Sequence, residues 1–259
     1  MSLSWNKPRL RIFLQPSGLT LARLGGRLRP RVEEKLTLRS EQPSWQAVLD
    51  LLDAWLREHE SAPFEVVLSN QLTRFLVLPF DTALTADTDR LALAHALFER
   101  QYAPESASDF EFRLDSMSFG KPQLAVAMER ALLLALRHLA ERQRQPLLTV
   151  TPLLEASWNQ FRSQLPSRGT LAVAEDSRLL LARFEQRRIV DVQLQPTTAG
   201  SLPPAFTHAE HHAPLCLFAP QWPLTTSANG LRRLTLPACN GFSPLQDTDQ
   251  AFGLCGVLA

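Results

Sequence analysis

Two short turns carry the residues whose types and spacing offer the most definite chemistry. The first reads Gln15-Pro16-Ser17-Gly18 and the second Glu175-Asp176-Ser177-Arg178. Taken by themselves both read as β-turns, the second with an acidic pair beside a hydroxyl. Three other constellations point to less. His208-Ala209-Glu210-His211-His212, with Cys216 nearby, holds potential metal ligands, yet its spacing is neither that of a zinc finger nor that of a helical His-Glu-x-x-His site. A solvated helix end or loop accounts for it. Cysteine–histidine pairs exist, as in any chain of this size, but no Gly-x-Ser-x-Gly elbow presents a nucleophile. The basic run Arg137-His138-Leu139-Ala140-Glu141-Arg142-Gln143-Arg144 offers charge to lipid headgroups or RNA. A polar helix end bearing arginines beside its negative C-terminal dipole is the commoner explanation.

The elements that position the two turns repeat. Leu19-Thr20-Leu21-Ala22-Arg23-Leu24 is echoed by Leu179-Leu180-Leu181-Ala182-Arg183-Phe184, so residue 19 stands against residue 179 and Ser17 against Ser177. An apolar strand precedes each turn, at 9–14 and 170–174, and a third strand with period-two alternation follows at 32–38 and 189–194. Two copies of a three-strand meander imply a duplicated α/β unit with a cleft between its halves, the usual place for a ligand.

The rest of each half is read from its pattern. Ser44 precedes a helix over 45–59 with Trp45, Val48, Leu49, Leu52, Trp55 and Leu56 on one stripe, and Ser44 is placed as its N-cap. Strands follow at 64–68 and 72–78, the latter closed by Pro79, giving the first half the order β-β-β-α-β-β. The second half adds strands at 215–219 and 232–236 after a polar stretch. Between the halves lie a helix over 87–101, strands at 110–117 and 123–127, and a helix over 129–143. Residues 147–150 and a helix over 153–165 lead into the second copy. The expected division is a first subdomain at 1–80, an inserted subdomain with a connecting helix at 81–145, and a second subdomain at 146–259. The stretch after Pro237, with Gly241, Gly253 and Gly256, has little periodicity and takes no assignment.

Composition narrows the function. The chain has 259 residues, 45% of them hydrophobic, enough to bury about three quarters of the unfolded surface. With 27 basic and 26 acidic residues the net charge is +1, which gives no general attraction for nucleic acid or anionic lipid. Cys216, Cys239 and Cys255 are odd in number and unpaired in spacing, pointing to a reducing compartment. The apolar stretch 132–139 is bounded and interrupted by Glu129, Arg130, Arg137 and His138, too short to span a bilayer. The apolar run Ile12-Phe13-Leu14 is too short for a signal peptide, so the cytoplasm is expected.

Several segments follow one another in a fixed order: Arg11-Ile12-Phe13-Leu14-Gln15-Pro16-Ser17-Gly18, then Val77-Leu78-Pro79-Phe80, then Leu124-Ala125-Val126-Ala127 before a helix. Gln145-Pro146-Leu147-Leu148-Thr149-Val150-Thr151-Pro152 before another helix, and then 169–176, complete it. Together they resemble the actin-like ATPases, and within them the PilM-like type IV pilus assembly proteins and the cytoplasmic domains of type II secretion L (GspL-like) proteins. The resemblance covers roughly residues 9–237 and implies a duplicated actin-like (ribonuclease H-like) α/β fold with two lobes and an interlobe cleft.

The resemblance also implies a nucleotide site at Ser17, Gly18, Asp176 and Ser177, and here the chain departs from its pattern. Such proteins hold phosphate and magnesium with two Asp-x-Gly hairpins. Pro16 removes an amide donor, Gln15 replaces a charge, and Arg178 stands where a small or polar residue is usual. The glycine pair that admits adenosine is replaced by Phe218-Ala219-Pro220-Gln221-Trp222-Pro223. Ribonuclease-H-type nuclease chemistry lacks its first-strand carboxylate, since Arg11-Ile12-Phe13-Leu14 supplies none. The resemblance and these departures together imply a pseudo-ATPase without cofactor or metal, a cytoplasmic scaffold peripheral to the bacterial inner membrane. Its implied partners are a bitopic, PilN-like membrane protein or an assembly ATPase. An active actin-like or sugar-kinase-like ATPase using ATP and magnesium, or a small-ligand-binding module, are the alternatives.

Overall fold

The computed structural model describes residues 8–26, 31–198, 201–202, 214–222 and 230–256. The first meander consists of β1 (Arg9–Gln15), β2 (Gly18–Gly25) and β3 (Arg31–Arg39), followed by α1 (Trp45–Glu58) and β4 (Phe64–Leu68). Next come β5 (Thr73–Leu78), α2 (Asp87–Gln101), β6 (Phe110–Leu114), β7 (Gln123–Glu129), α3 (Arg130–Gln143), β8 (Leu147–Pro152) and α4 (Leu153–Phe161). The second meander is β9 (Arg168–Glu175), β10 (Arg178–Glu185) and β11 (Arg188–Pro196), with β12 (Leu215–Phe218) and β13 (Leu231–Leu234) after it.

The repeat seen in the sequence is a repeat in space. One sheet runs β3-β2-β1-β4-β8 and the other β11-β10-β9-β12-β13, each an antiparallel meander extended by two parallel strands. The likeness reaches the register. In the first sheet the pairing of β2 with β3 shifts at Arg23/Leu24, and in the second that of β10 with β11 shifts at Arg183/Phe184, the equivalent residues. A bulge at the same point of both copies bends each meander alike.

Two boundaries differ from the sequence reading. Residues 73–78 do not join the first sheet; they pair antiparallel with β7 in a separate three-stranded sheet, β5-β7-β6. Only a short 3-10 turn, Asn70–Leu72, separates β4 from β5, whereas a parallel neighbour needs a crossover of a dozen or more residues. The inserted unit therefore begins near residue 73, ahead of the expected 81. Conversely β8, assigned to the second subdomain, is the fifth strand of the first sheet, because the excursion from β5 through α3 is long enough to return it parallel to β4. The helix expected over 153–165 ends at Phe161.

The apolar stripe of α1 is buried as Val48, Leu49, Leu52, Trp55 and Leu56, packing on the first sheet and on α3. Removing Leu52, fully buried, costs about 2–5 kcal/mol by the usual cavity penalty. Ser44 is the N-cap residue by its backbone, its carbonyl accepting from Val48 N at 3.1 Å, but its hydroxyl turns to Gln46 and caps no amide. One apolar core runs from the first sheet through α1, α3 and α4 into the second, and α2 buries Phe98 in a smaller core against Leu76, Leu78, Ala125 and Ala127 of the small sheet. The basic run at 137–144 is divided by its own packing. Arg142 reaches the buried Asp53 of α1 at 3.1 Å, while Arg144 turns the chain in a left-handed cap with φ 52°. Burial pushes the Asp53 carboxyl up, but hydrogen bonds from Gln143, Arg57 and Arg142 outweigh this and hold it low.

Candidate functional site

The fold brings the two chemically interesting turns face to face. Each is a two-residue hairpin turn, closed by the pairs Gln15↔Gly18 and Glu175↔Arg178. Gln15 Nε2 donates to Asp176 Oδ2 at 3.1 Å, so the turns are bonded to each other across the lobes. The serines do equivalent backbone work. The Ser17 carbonyl accepts from Ser40 N at 2.9 Å and the Ser177 carbonyl from Thr197 N at 2.8 Å, each tying the turn to the end of its third strand. Gly18 is required by close packing, since a Cβ there would stand 2.6 Å from the Leu38 carbonyl oxygen.

The acidic pair is split. Asp176 is exposed and takes Gln15, whereas Glu175 is buried and points into the first lobe. There it accepts from the Ser69 hydroxyl and, at 2.9 Å, from Asn70 N. Burial pushes its carboxyl up to about 7, with the Ser69 and Asn70 hydrogen bonds pulling the other way. Grouping Glu175 with Asp176 as a metal pair, as the sequence suggests, misses this latch. The strand alternation holds the signal, because neighbours at the end of a strand face opposite sides. Among the described residues no three His, Cys, Asp or Glu side chains converge as a metal site. The residues His208, Glu210, His211 and His212 lie outside the described residues, and Cys216 is buried within β12.

The turn after β12 is filled by its own side chains. Trp222 is buried beneath it, and Arg233 donates to the carbonyls of Ala219 at 2.8 Å and Trp222 at 2.7 Å. The cavity between Phe218–Pro220 and the stretch Asp249–Gly253 amounts to about 20 Å³. Small-molecule sites typically hold about 300–1,000 Å³. Pro16 offers no amide donor, and the space at this turn is far below that range.

The large concavity lies elsewhere, a groove of about 1140 Å³ between the small sheet, β8, α4 and the β10–β11 turn. Its apolar wall is the face of the small sheet opposite α2, with Phe75, Leu124, Val126 and Met128. Its other wall is β8, which pairs with β4 on one side and, among the described residues, has no strand on the other. Leu148 of β8 is 49% exposed. Arg113, Arg137, Arg162, Arg187 and Arg188 face Asp115, Glu141 and Glu155 around the groove, a net positive lining. The Glu155 carboxyl is pushed up by burial and by Asp115, against the pull of Arg113. The far end is clasped, as Arg188 donates to the Ser116 carbonyl at 3.1 Å and to the Ser118 hydroxyl, and Lys121 to Gln186. Sequence patterns do not reveal this groove, whose walls come from stretches up to about a hundred residues apart; only the β-branched residues in 147–151 mark an unfinished edge.

No protein-family model matches the chain, and no curated protein matches it in sequence. Among solved structures it is similar to the cytoplasmic domain of EpsL, an inner membrane component of the type II secretion system of Vibrio cholerae. That likeness covers 95% of this chain and 94% of the other, with 12% identity and a TM-score of 0.58. A chain of the PilM-PilN type IV pilus biogenesis complex matches 73% of this chain at 14% identity and a TM-score of 0.50, with 62% of its own length covered. A Bacteroides thetaiotaomicron protein with an actin-like ATPase fold matches over 75% of this chain and 72% of its own, at 10% identity and a TM-score of 0.49. The paired sheets with one strand order and the full-length match identify the architecture: this chain has the actin-like fold, two lobes about a cleft.

Proposed function

We propose that the chain is a non-catalytic scaffold of a bacterial type II secretion or type IV pilus inner-membrane platform. On this reading it works at the cytoplasmic face of the membrane and binds partner proteins. The observation that carries the reading is the groove with the edge of β8, unpaired among the described residues. An extended segment entering it gains main-chain hydrogen bonds from β8, apolar contact with Phe75, Leu124 and Val126, and charge pairing with the arginine-rich rim. The partner is a PilN-like bitopic membrane protein offering a short cytoplasmic tail, or the assembly ATPase. Support comes from the similar structures: EpsL is an inner-membrane component, and PilM is named in a complex with PilN. No helix among the described residues is long and apolar enough to cross a membrane.

The pseudo-ATPase part rests on the closed cleft, where Gln15, Asp176 and Glu175 are engaged with one another's lobes. Two measurements test the whole. Fluorescence anisotropy with a labelled PilN-like tail peptide is expected to show binding that weakens ~10-fold or more in Leu148→Asp and in Trp158→Ala, the latter a residue of α4 that also lines the groove. Melting with and without millimolar magnesium-ATP is expected to show no shift. A ligand at about 100 times its Kd adds roughly 2.7 kcal/mol, several degrees for a chain of this size. A shift of that size, lost in Asp176→Ala, replaces the scaffold with the active ATPase.

A further inference from the structure

The chain after Leu236 runs back from the second lobe onto the first. Asn240 pairs in parallel with Arg31, its carbonyl accepting from Val32 N at 2.8 Å. Gly241 takes φ +84° there, and a Cβ on it would collide with the Val32 carbonyl oxygen. Two 3-10 turns follow, Asp247–Asp249 and Ala251–Cys255.

These turns lie against one face of the first sheet. Arg11, Ala22 and Lys35 stand side by side across β1, β2 and β3. Arg11 donates to the Gly256 carbonyl, and Lys35 pairs with the buried Asp249 and lies 5.7 Å from the centre of the Phe252 ring. Cys255 is fully buried, with Sγ 3.3 Å from the Thr20 carbonyl oxygen. On its other side the segment meets the second lobe, for a Cβ on Gly253 would stand 2.6 Å from Cβ of Pro220, in the turn after β12. That turn is where the resemblance to actin-like proteins puts the adenosine, and the segment fills it.

We propose that residues 238–256 are the resident occupant of the interlobe cleft, a built-in ligand that couples the lobes where a small molecule otherwise would and that detaches as a unit. Its ties are few. The backbone bond from Val32, the side chains of Phe242, Phe252, Leu254 and Cys255 packed on the main core, and the contacts of Arg11 and Lys35 hold it, whereas each sheet is held by whole ladders of backbone hydrogen bonds. Such a segment opens well before the sheets do.

The three cysteines report on this separation in the native full-length chain. Cys255 lies within the segment on its buried side, Cys216 in the second sheet, and Cys239, at the start of the segment, is partly exposed. Burial also pushes the Cys255 thiol up to about 12, which slows its alkylation while the segment is seated. The experiment is labelling with N-ethylmaleimide, read for each cysteine by peptide mass spectrometry, in the wild type and two variants. Gly253→Leu wedges the segment off Pro220, and Lys35→Met removes the partner of Asp249 without adding bulk. The expected result is a Cys255 rate raised ~10-fold or more relative to Cys216 in Gly253→Leu and ~3-fold in Lys35→Met. A rise of that ratio in either variant supports the resident segment. A ratio unchanged in both, whether the two rates stay slow or climb together, makes the segment an inseparable part of the core and overturns the proposal.

Discussion

The two meanders share one backbone plan, including the position of a bulge, yet around the shared serine, Ser17 or Ser177, their turns present different side chains. Gln15 and Glu175 occupy the same position in the two copies, as do Gly18 and Arg178. In the first copy the residue at the strand end is a neutral amide reaching across solvent to Asp176; in the second it is a carboxylate buried in the opposite lobe. The difference teaches that a duplicated scaffold keeps its hydrogen-bond ladders while its turns change work. Backbone pairing constrains strand positions, and turn side chains are free to serve either a ligand or the partner lobe. Here both turns serve the partner lobe.

The largest effects test whether the copies are equally important to the core. Phe184 and Leu24 are equivalent at their bulges, but Phe184 is wholly buried with its ring edge-on to Trp158 at 5.3 Å. Phe184→Ala is expected to cost about 3–5 kcal/mol and Leu24→Ala about 2–4 kcal/mol in urea unfolding. Equal costs would mean that the second lobe carries no more of the shared core than the first.

Next in size is the latch. The Glu175 carboxyl titrates near 7 in the folded chain and near 4.5 when unfolded, so between these values the native state binds more protons. Stability from this group is therefore full below about pH 4.5 and declines as pH rises towards 7, by about 3 kcal/mol at most. Glu175→Gln keeps a hydrogen-bonding side chain and abolishes that titration. The difference between wild-type and variant stability curves, taken from pH 4.5 to 8, isolates the latch from every other carboxylate. A constant difference across the range would remove Glu175 from the interlobe account.

A smaller contrast concerns one position in two contexts. Gly18→Ala places a methyl group 2.6 Å from the Leu38 carbonyl oxygen and is expected to cost about 1–3 kcal/mol, because backbone must give way. Arg178→Gly, at the same place in the exposed copy, is expected to cost only about 0.5–1 kcal/mol in urea unfolding, the entropic penalty of glycine in a strand. If Arg178→Gly proves the costlier, the second turn has a role for its guanidinium that its exposure conceals.

The features legible in the sequence are those that depend on near neighbours. The offset repeat, the stripe on α1 and the bounds of α2 can be read from it because alternation and helical spacing record burial locally. The illegible features depend on where the chain goes next. Residues 73–78 have the pattern of a strand for either sheet, and only the four-residue connection before them decides that they leave the first. Residues 238–256 show no period because their burial comes from 3-10 turns against β1, β2 and Pro220, far away in sequence. The candidate site divides in the same way. The repeat locates Ser17, Gly18, Asp176 and Ser177, but not their partners Ser40, Leu38, Gln15 and Thr197, since only the folded register brings these close.

The smallest expected effect is also the most informative about the cleft. The hydrogen bond from Gln15 to Asp176 is exposed and spans the two turns at 3.1 Å. A hydrogen bond open to water contributes about 0.5 kcal/mol or less once exchange with solvent is counted, so Gln15→Ala should move the melting temperature by about 2 °C at most. Paired with Glu175→Gln in a double-mutant cycle, it asks whether the exposed and buried ties act on one interlobe equilibrium. Coupling of about 0.5 kcal/mol or more would mean that both hairpins close a single hinge. Additive losses would mean that the two ties act independently and that the Gln15 turn moves without disturbing the Glu175 latch. The first copy would then be the half of the cleft still able to open.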